Sequence, residues 1–149
     1  MDWGNPRVVS RVLLLLPTET YRAADFLAAA SRLAVDVVVG SERRQTMAGS
    51  MGDRAVVVPM GDVDAAVGII AALHERRPLD AVLAVDDQGL MVAAAASQRL
   101  GMTHNPPDAV AATRDKAAMR ARLAASSVPQ PDHRVVRLCC ISGTRHTVA

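Results

Sequence analysis

The run Arg11–Leu16 reads RVLLLL and is closed by Pro17. Five successive apolar residues leave no polar position for a solvent-facing side. A strand of this kind is buried on both faces, and burial on both faces requires layers above and below it. The run's apolar part, Val12–Leu16, follows Arg7 and Arg11, so a secretory leader has to be weighed. Its apolar stretch is shorter than the ~7–15 residues of a leader's hydrophobic region, and Pro17 ends it, which favours the buried strand.

The rest of the chain supplies the layers. In residues 20–34 Ala23, Phe26, Leu27, Ala30 and Leu33 recur at three- and four-residue steps, which predicts an amphipathic helix with these residues inward. Asp36–Val39 predicts a second strand, ended by Gly40, and residues 41–53 a polar loop. Ala55–Val58 predicts a third strand. Asp62 or Asp64 can cap a helix that stops before Pro78, with Val63, Val67, Ile70 and Leu73 inward. Asp80–Val85 predicts a fourth strand. Residues 88–100 predict a helix with Leu90, Ala94 and Leu100 inward; Gly101 ends it, and Met102–His104 reads as a short fifth extended piece. Strands alternating with helices predict an α/β fold, a parallel sheet with helices on both faces. Ligands bind such sheets beyond the carboxyl ends of the strands. Those ends are 17–21, 40–44, 59–62, 86–88 and 104–105.

After Asn105 the pattern changes. Pro106 and Pro107 interrupt the chain, Asp108–Ala112 predicts a short helix, and Thr113 a cap for a second helix over Arg114–Ala125. Pro129 and Pro131 stop that helix, and His133–Leu138 predicts one more strand. The expected organisation is a tail at 1–10, a domain at 11–104, a helical connector at 105–131, and a short strand with an irregular tail at 132–149.

Composition narrows the function. Only Trp3, Tyr21 and Phe26 are aromatic, so the core must be aliphatic. The net charge of +2, with no basic stripe interleaved with aromatics, argues against nucleic acid. That charge is uneven: residues 1–104 carry −2 and residues 105–149 carry +4. No stretch approaches the ~18 apolar residues of a membrane span. The only cysteines, Cys139 and Cys140, are adjacent and lack a surrounding ligand set, so no metal site is expected and a reducing, cytoplasmic location fits. There is no GxGxxG after the first strand, no GxxxxGK[ST] and no GxSxG.

Three groups of residues are candidates. Thr18, Tyr21 and Arg22 follow the first strand, where Tyr21 or Arg22 can meet an anionic or carboxylate ligand, or Thr18 or Thr20 simply caps the next helix. Asp86 and Asp87 follow the fourth strand. Asp87 either caps the helix there or lines a small-molecule pocket. With Thr113 as cap, Lys116 falls in the first turn of the connector helix, where a cation opposes the helix dipole. Arg120 repeats the charge on the same face four residues on. The pair is either a solvated cationic face or the mark of a nearby anion.

The order Asn105-Pro-Pro-Asp-Ala, Arg114-Asp115-Lys116, Arg120, Leu123, Val128-Pro129-x-Pro131 resembles the connector of ATP-grasp ligases, which include biotin carboxylase, carbamoyl-phosphate synthase relatives and carboxylate–amine ligases. Upstream, AVLAVDDQGLMVAAAASQRLGM resembles the last strand–helix unit of that family's N-terminal domain, and TETYRAADFLAAASRL–VDVVVGSE its opening. The resemblance covers about residues 11–133. It implies a Rossmann-like domain forming part of a substrate pocket, for which Thr18, Tyr21, Arg22, Asp86 and Asp87 are the candidates at the strand ends, and an ATP phosphate contact from Lys116, with Arg120 the candidate beside it. It implies ATP and Mg²⁺ as cofactors of the whole enzyme, neither held tightly by this chain, and small carboxylate and amine substrates joined through an acyl phosphate. The family's lid lysine and its metal-holding Glu and Asn residues have no counterpart here, and residues 138–149 do not follow its pattern. The expectation is a truncated chain, with a frame change near Leu138 as one account of it, inactive alone. Ser127 stands where the family has Gly, and so does Val35. An exposed connector helix with Met119 and Leu123 would favour a homodimer. The alternative is a free-standing Rossmann-like module that binds a small ligand or a protein.

Overall fold

The computed structural model describes residues 9–17, 23–43 and 54–136. Four strands form one parallel sheet in the order β3-β2-β1-β4: β1 (Arg11–Leu15), β2 (Asp36–Ser41), β3 (Ala55–Val57) and β4 (Ala81–Ala84). The RVLLLL run is the central strand, as its unbroken hydrophobicity requires. Leu13 lies opposite Val38 on one side and Val82 on the other.

Alternate residues of β1 serve the two faces. Leu13 and Leu15 join Val38, Val58 and Val82 under α2 (Val63–Arg76) and α3 (Asp87–Arg99), whose Ala66, Ile70, Leu73, Val92, Ala93 and Ala96 complete the larger core. Leu14, Leu16 and Val39 face the other way, against Leu27 of α1 (Ala23–Arg32). Leu13, Leu15 and Leu16 are essentially inaccessible, and each contributes about 1.5–3 kcal/mol by leaving water. Two glycines permit this packing. A Cβ on Gly40 would lie 2.8 Å from Leu15 Cδ2 and would displace it, and one on Gly89 would lie 3.2 Å from Leu15 Cβ, tighter than ordinary contact.

Several expectations are corrected. Met102–His104 does not extend the sheet. Gly101 turns with φ +68° and the Met102 amide donates to Ser97 O, so the segment closes α3 instead of opening a ladder. Leu33 is 74% exposed, because α1 ends at Arg32 and Leu33 lies in the turn beyond it. Phe26 is also on the exposed side, 37% accessible. Residues 133–136 have no regular structure: among the described residues no strand pairs with them, and Val135 and Val136 are exposed. Residues 20–22, most of the 41–53 loop and residues 137–138 of the last expected strand lie outside the described residues, and Ser41 belongs to β2.

Beyond the sheet, α4 (Pro107–Arg114) packs on α3 and buries Val110 and Ala112, whereas α5 (Lys116–Ala125) packs on α4 and buries no residue fully. Met119 and Leu123 are half-buried. Arg122 ties the two helices, donating to Asp108 O at 2.8 Å and Asp108 Oδ2 at 2.9 Å. This guanidinium, helped by the Ala109 amide, holds the Asp108 carboxyl below its ordinary value. Among the described residues no helix is long and apolar enough to cross a membrane.

Candidate functional site

The strand order places a topological switch point between β1 and β4, since β1, β2 and β3 step one way and β4 returns to the other side of β1. In open parallel sheets ligands bind beyond the carboxyl ends at such a point. Of the candidate residues around it, Thr18, Tyr21 and Arg22 lie outside the described residues. Asp86, not Asp87, is the N-cap of α3, and its Oδ1 accepts from the Gln88 amide at 3.0 Å. Asp87 is the first helical residue and is exposed, where its charge favours the positive end of the helix dipole. Gln88 Nε2 donates to Glu42 Oε1 at 2.8 Å, a bond joining the end of β2 to the start of α3. Neither Glu42 nor Gln88 was singled out by sequence, although both lie in strand-end segments that the strand pattern marks.

The connector carries the second site. Asp115 is the N-cap of α5: its Oδ1 accepts from the amides of Ala117 at 2.8 Å and Ala118 at 3.1 Å. Thr113, expected in that role, instead donates its hydroxyl proton to Val110 O inside α4. Lys116 is therefore the first residue of the helix rather than the third. A carboxylate accepts two amide bonds where a hydroxyl offers a weaker acceptor, so the aspartate two residues on takes the cap.

Past α5 the chain reverses. Ser127 has φ +54°, and the Ser126, Ser127 and Val128 amides donate to Arg122 O, Ala124 O and Leu123 O. The returning segment is pinned by Gln130, whose Nε2 donates to Arg120 O at 3.0 Å. His133 and Arg134 are thereby brought beside Lys116 and Arg120. A concavity of about 340 Å³ results, lined by Lys116, Ala117, Arg120, His133, Arg134 and Val135. Among the described residues no carboxylate stands in its wall, and none of its three fixed cations forms an ion pair with them.

The opposite end of the sheet is also rich in arginine but differently arranged. Asp36, with a side chain only 10% accessible, meets Arg77 at 2.8 Å, Arg54 at 3.5 Å and Arg11 at 3.7 Å. Arg11 is buried. Its Nη1 donates to Arg77 O, and its amide donates to Asp80 Oδ2, both at 2.6 Å. Among the described residues Arg11 Nε and Asp36 Oδ1 have no hydrogen-bond partner of their own and are compensated by charge. An open concavity of about 450 Å³ adjoins this cluster, but Asp36 itself lines it. Among the described residues no three His, Cys, Asp or Glu side chains gather where a metal ion could sit.

The family model of the ATP-grasp N-terminal domain matches residues 27–104, just over half of the chain. The chain belongs to this family. The part matched by the ATP-grasp N-terminal domain runs from Leu27, the inward residue of α1, to the segment that closes α3, and includes β2, β3, β4 and the Glu42–Gln88 bond. No curated protein matches the sequence. Among solved structures, the L-amino acid ligase from Bacillus licheniformis is similar with TM-score 0.69 and 19% identity over 82% of this chain and 31% of that one. Phosphoribosylglycinamide synthetase from Anaerococcus prevotii is similar with TM-score 0.60 and 14% identity, over 79% of this chain and 29% of that one. At such identities the likeness is one of fold. The chain spans less than a third of either enzyme.

Proposed function

We propose that the chain supplies the N-terminal portion of an ATP-grasp ligase, with Lys116 and Arg120 taking oxygens of the ATP phosphates and the carboxyl ends of the strands meeting part of the substrate. The observation that carries this reading is the cationic concavity on the connector, three fixed charges with no carboxylate among them, directly following a domain of the ATP-grasp family. Phosphate oxygens form short charge-assisted bonds with such groups, and the fork of Arg120 suits two oxygens at once.

The reaction this serves joins a carboxylate to an amine. A carboxylate oxygen attacks the γ-phosphorus of ATP, the bond from that phosphorus to the β,γ-bridging oxygen breaks, and ADP leaves. The amine nitrogen then attacks the carbonyl carbon of the acyl phosphate, phosphate departs, and the nitrogen loses a proton to give the amide. Lys116 and Arg120 hold and partly neutralise phosphate oxygens throughout, while Thr18, Tyr21, Arg22, Asp86 and Asp87 frame the substrate, Asp86 doing so while capping α3. The described residues do not fit a Mg²⁺ ion, since no cluster of carboxylates is present among them. The reading therefore assigns metal holding and phosphoryl transfer to another part of the enzyme.

Titration of the chain with ATP tests the phosphate contacts. Weak, saturable binding is expected, reduced about tenfold by Lys116→Ala, the loss of one charge-assisted contact. An affinity unchanged in Lys116→Ala contradicts the assignment. ADP release from the chain supplied with ATP, Mg²⁺ and mixed carboxylates and amines is expected to be nil, and measurable release overturns the division of labour.

A further inference from the structure

We propose that the connector concavity is a polyphosphate seat completed by His133 and Arg134, and that it recognises the phosphate chain of a nucleotide without regard to its base. The proposal rests on the reading of Lys116 and Arg120 as phosphate contacts and goes beyond it in naming two further residues and a selectivity. Lys116 and Arg120 alone form one edge, on a single face of α5. His133 and Arg134 supply the facing edge from a segment with no regular structure. The Ser127 reversal and the Gln130–Arg120 bond hold the two edges together although both are cationic. Bringing like charges together with no carboxylate between them costs energy that an anion recovers.

The lining also sets what the seat can distinguish. Its apolar surface is Ala117 and Val135, and its one ring is that of His133. Ala and Val offer no face on which a purine stacks, the His133 ring and the guanidinium planes stack on any base alike, and no side-chain carboxylate or amide lines the wall to read a base edge. A volume of about 340 Å³ is at the small end of ligand pockets, and a chain of phosphates fits it better than a whole nucleotide. The nearest acids, Asp115 and Asp132, lie outside the wall; Asp115 is occupied by the Ala117 and Ala118 amides.

The test is calorimetric titration of the 149-residue chain at low ionic strength with tripolyphosphate, ATP, GTP and AMP. Tripolyphosphate, ATP and GTP are expected to bind within roughly threefold of one another, and AMP at least about tenfold more weakly. The double variant His133→Ala/Arg134→Ala is expected to lose about tenfold or more for tripolyphosphate with its urea midpoint unchanged. ATP binding without tripolyphosphate binding overturns the base-blind seat. A double variant that binds as wild type, beside a Lys116→Ala variant that does not, overturns the role of His133 and Arg134 and leaves the Lys116 contact standing. Binding insensitive to all three substitutions sinks both readings.

Discussion

At the amino end of the sheet, Arg11, Arg54 and Arg77 crowd around the Asp36 carboxylate; on the connector, Lys116, Arg120 and Arg134 line a concavity with no carboxylate in its wall. The two clusters use the same chemistry under opposite boundary conditions. Arg11 and Asp36 are withdrawn from water, so Arg11 cannot lose the Asp36 carboxylate without becoming a stranded buried charge. Lys116 and Arg134 are solvated, and removing either costs the fold little, whereas Arg120 is half-buried and its Nη1 donates to Gln130 Oε1 at 3.4 Å. Burial and pairing, rather than residue type, separate a charge that fastens strands together from a charge that remains available to a ligand.

The largest effect is expected where charge is buried. Asp36→Ala strands Arg11 and should lower unfolding free energy by about 3–5 kcal/mol in urea denaturation. The variant's folded fraction should bind tripolyphosphate as wild type does, and a loss of binding would merge the two clusters functionally. Gly40→Ala tests the same region sterically. Its Cβ would meet Leu15 Cδ2 at 2.8 Å, so a loss of about 1–3 kcal/mol is expected, with polyphosphate affinity again preserved.

On the connector the ranking of effects reverses. Ser127→Gly relieves a left-handed residue at the turn that carries His133 and Arg134, and a gain of about 1 kcal/mol in stability is expected. Arg134→Ala should leave stability within about 0.5 kcal/mol while weakening polyphosphate binding, which calorimetry separates from any fold defect. The smallest effect belongs to the exposed Asp108–Arg122 pair. Because Arg122 lowers the folded-state pKa of Asp108, their pairing contributes above the ordinary value of 3.8 and fades as pH falls through the lowered value. The melting temperatures of wild type and Arg122→Ala should therefore differ slightly near neutrality and converge in acid, and a carboxyl NMR titration should show Asp108 rising toward its ordinary value in the variant.

Much of the sheet was legible because hydrophobic runs and periods report it directly. RVLLLL could hardly lie anywhere but the centre, and Val63, Val67, Ile70 and Leu73 repeat at the helical period. Caps and ends were read less well, because neighbouring residues compete for one role. Thr113 and Asp115 both offer a cap oxygen, as do Asp86 and Asp87, and only the three-dimensional path of the chain chooses between them. Val135 and Val136 have strand propensity without a neighbouring strand, and propensity alone makes no ladder. Ser127 is instructive in another way. It replaces the glycine that the family pattern has, yet it keeps a glycine's conformation, so the turn is imposed by the surrounding hydrogen bonds.

Of the site, the Lys116–Arg120 spacing placed both charges on one helix face. That His133 and Arg134 would close the other side was hidden, since it depends on a reversal at Ser127 and on Gln130 rather than on any periodic signal. The Asp36 cluster was equally invisible: Arg11, Asp36, Arg54 and Arg77 are far apart in sequence and meet only because parallel strands align their amino ends.

The separation of the two arginine clusters is tested most directly by following backbone amide shifts of the whole chain during a tripolyphosphate titration. The account expects saturable shifts at residues 115–121 and 130–136, with Arg11, Asp36, Arg54 and Arg77 unmoved. Shifts centred on Arg54 and Arg77, with the connector silent, would contradict it.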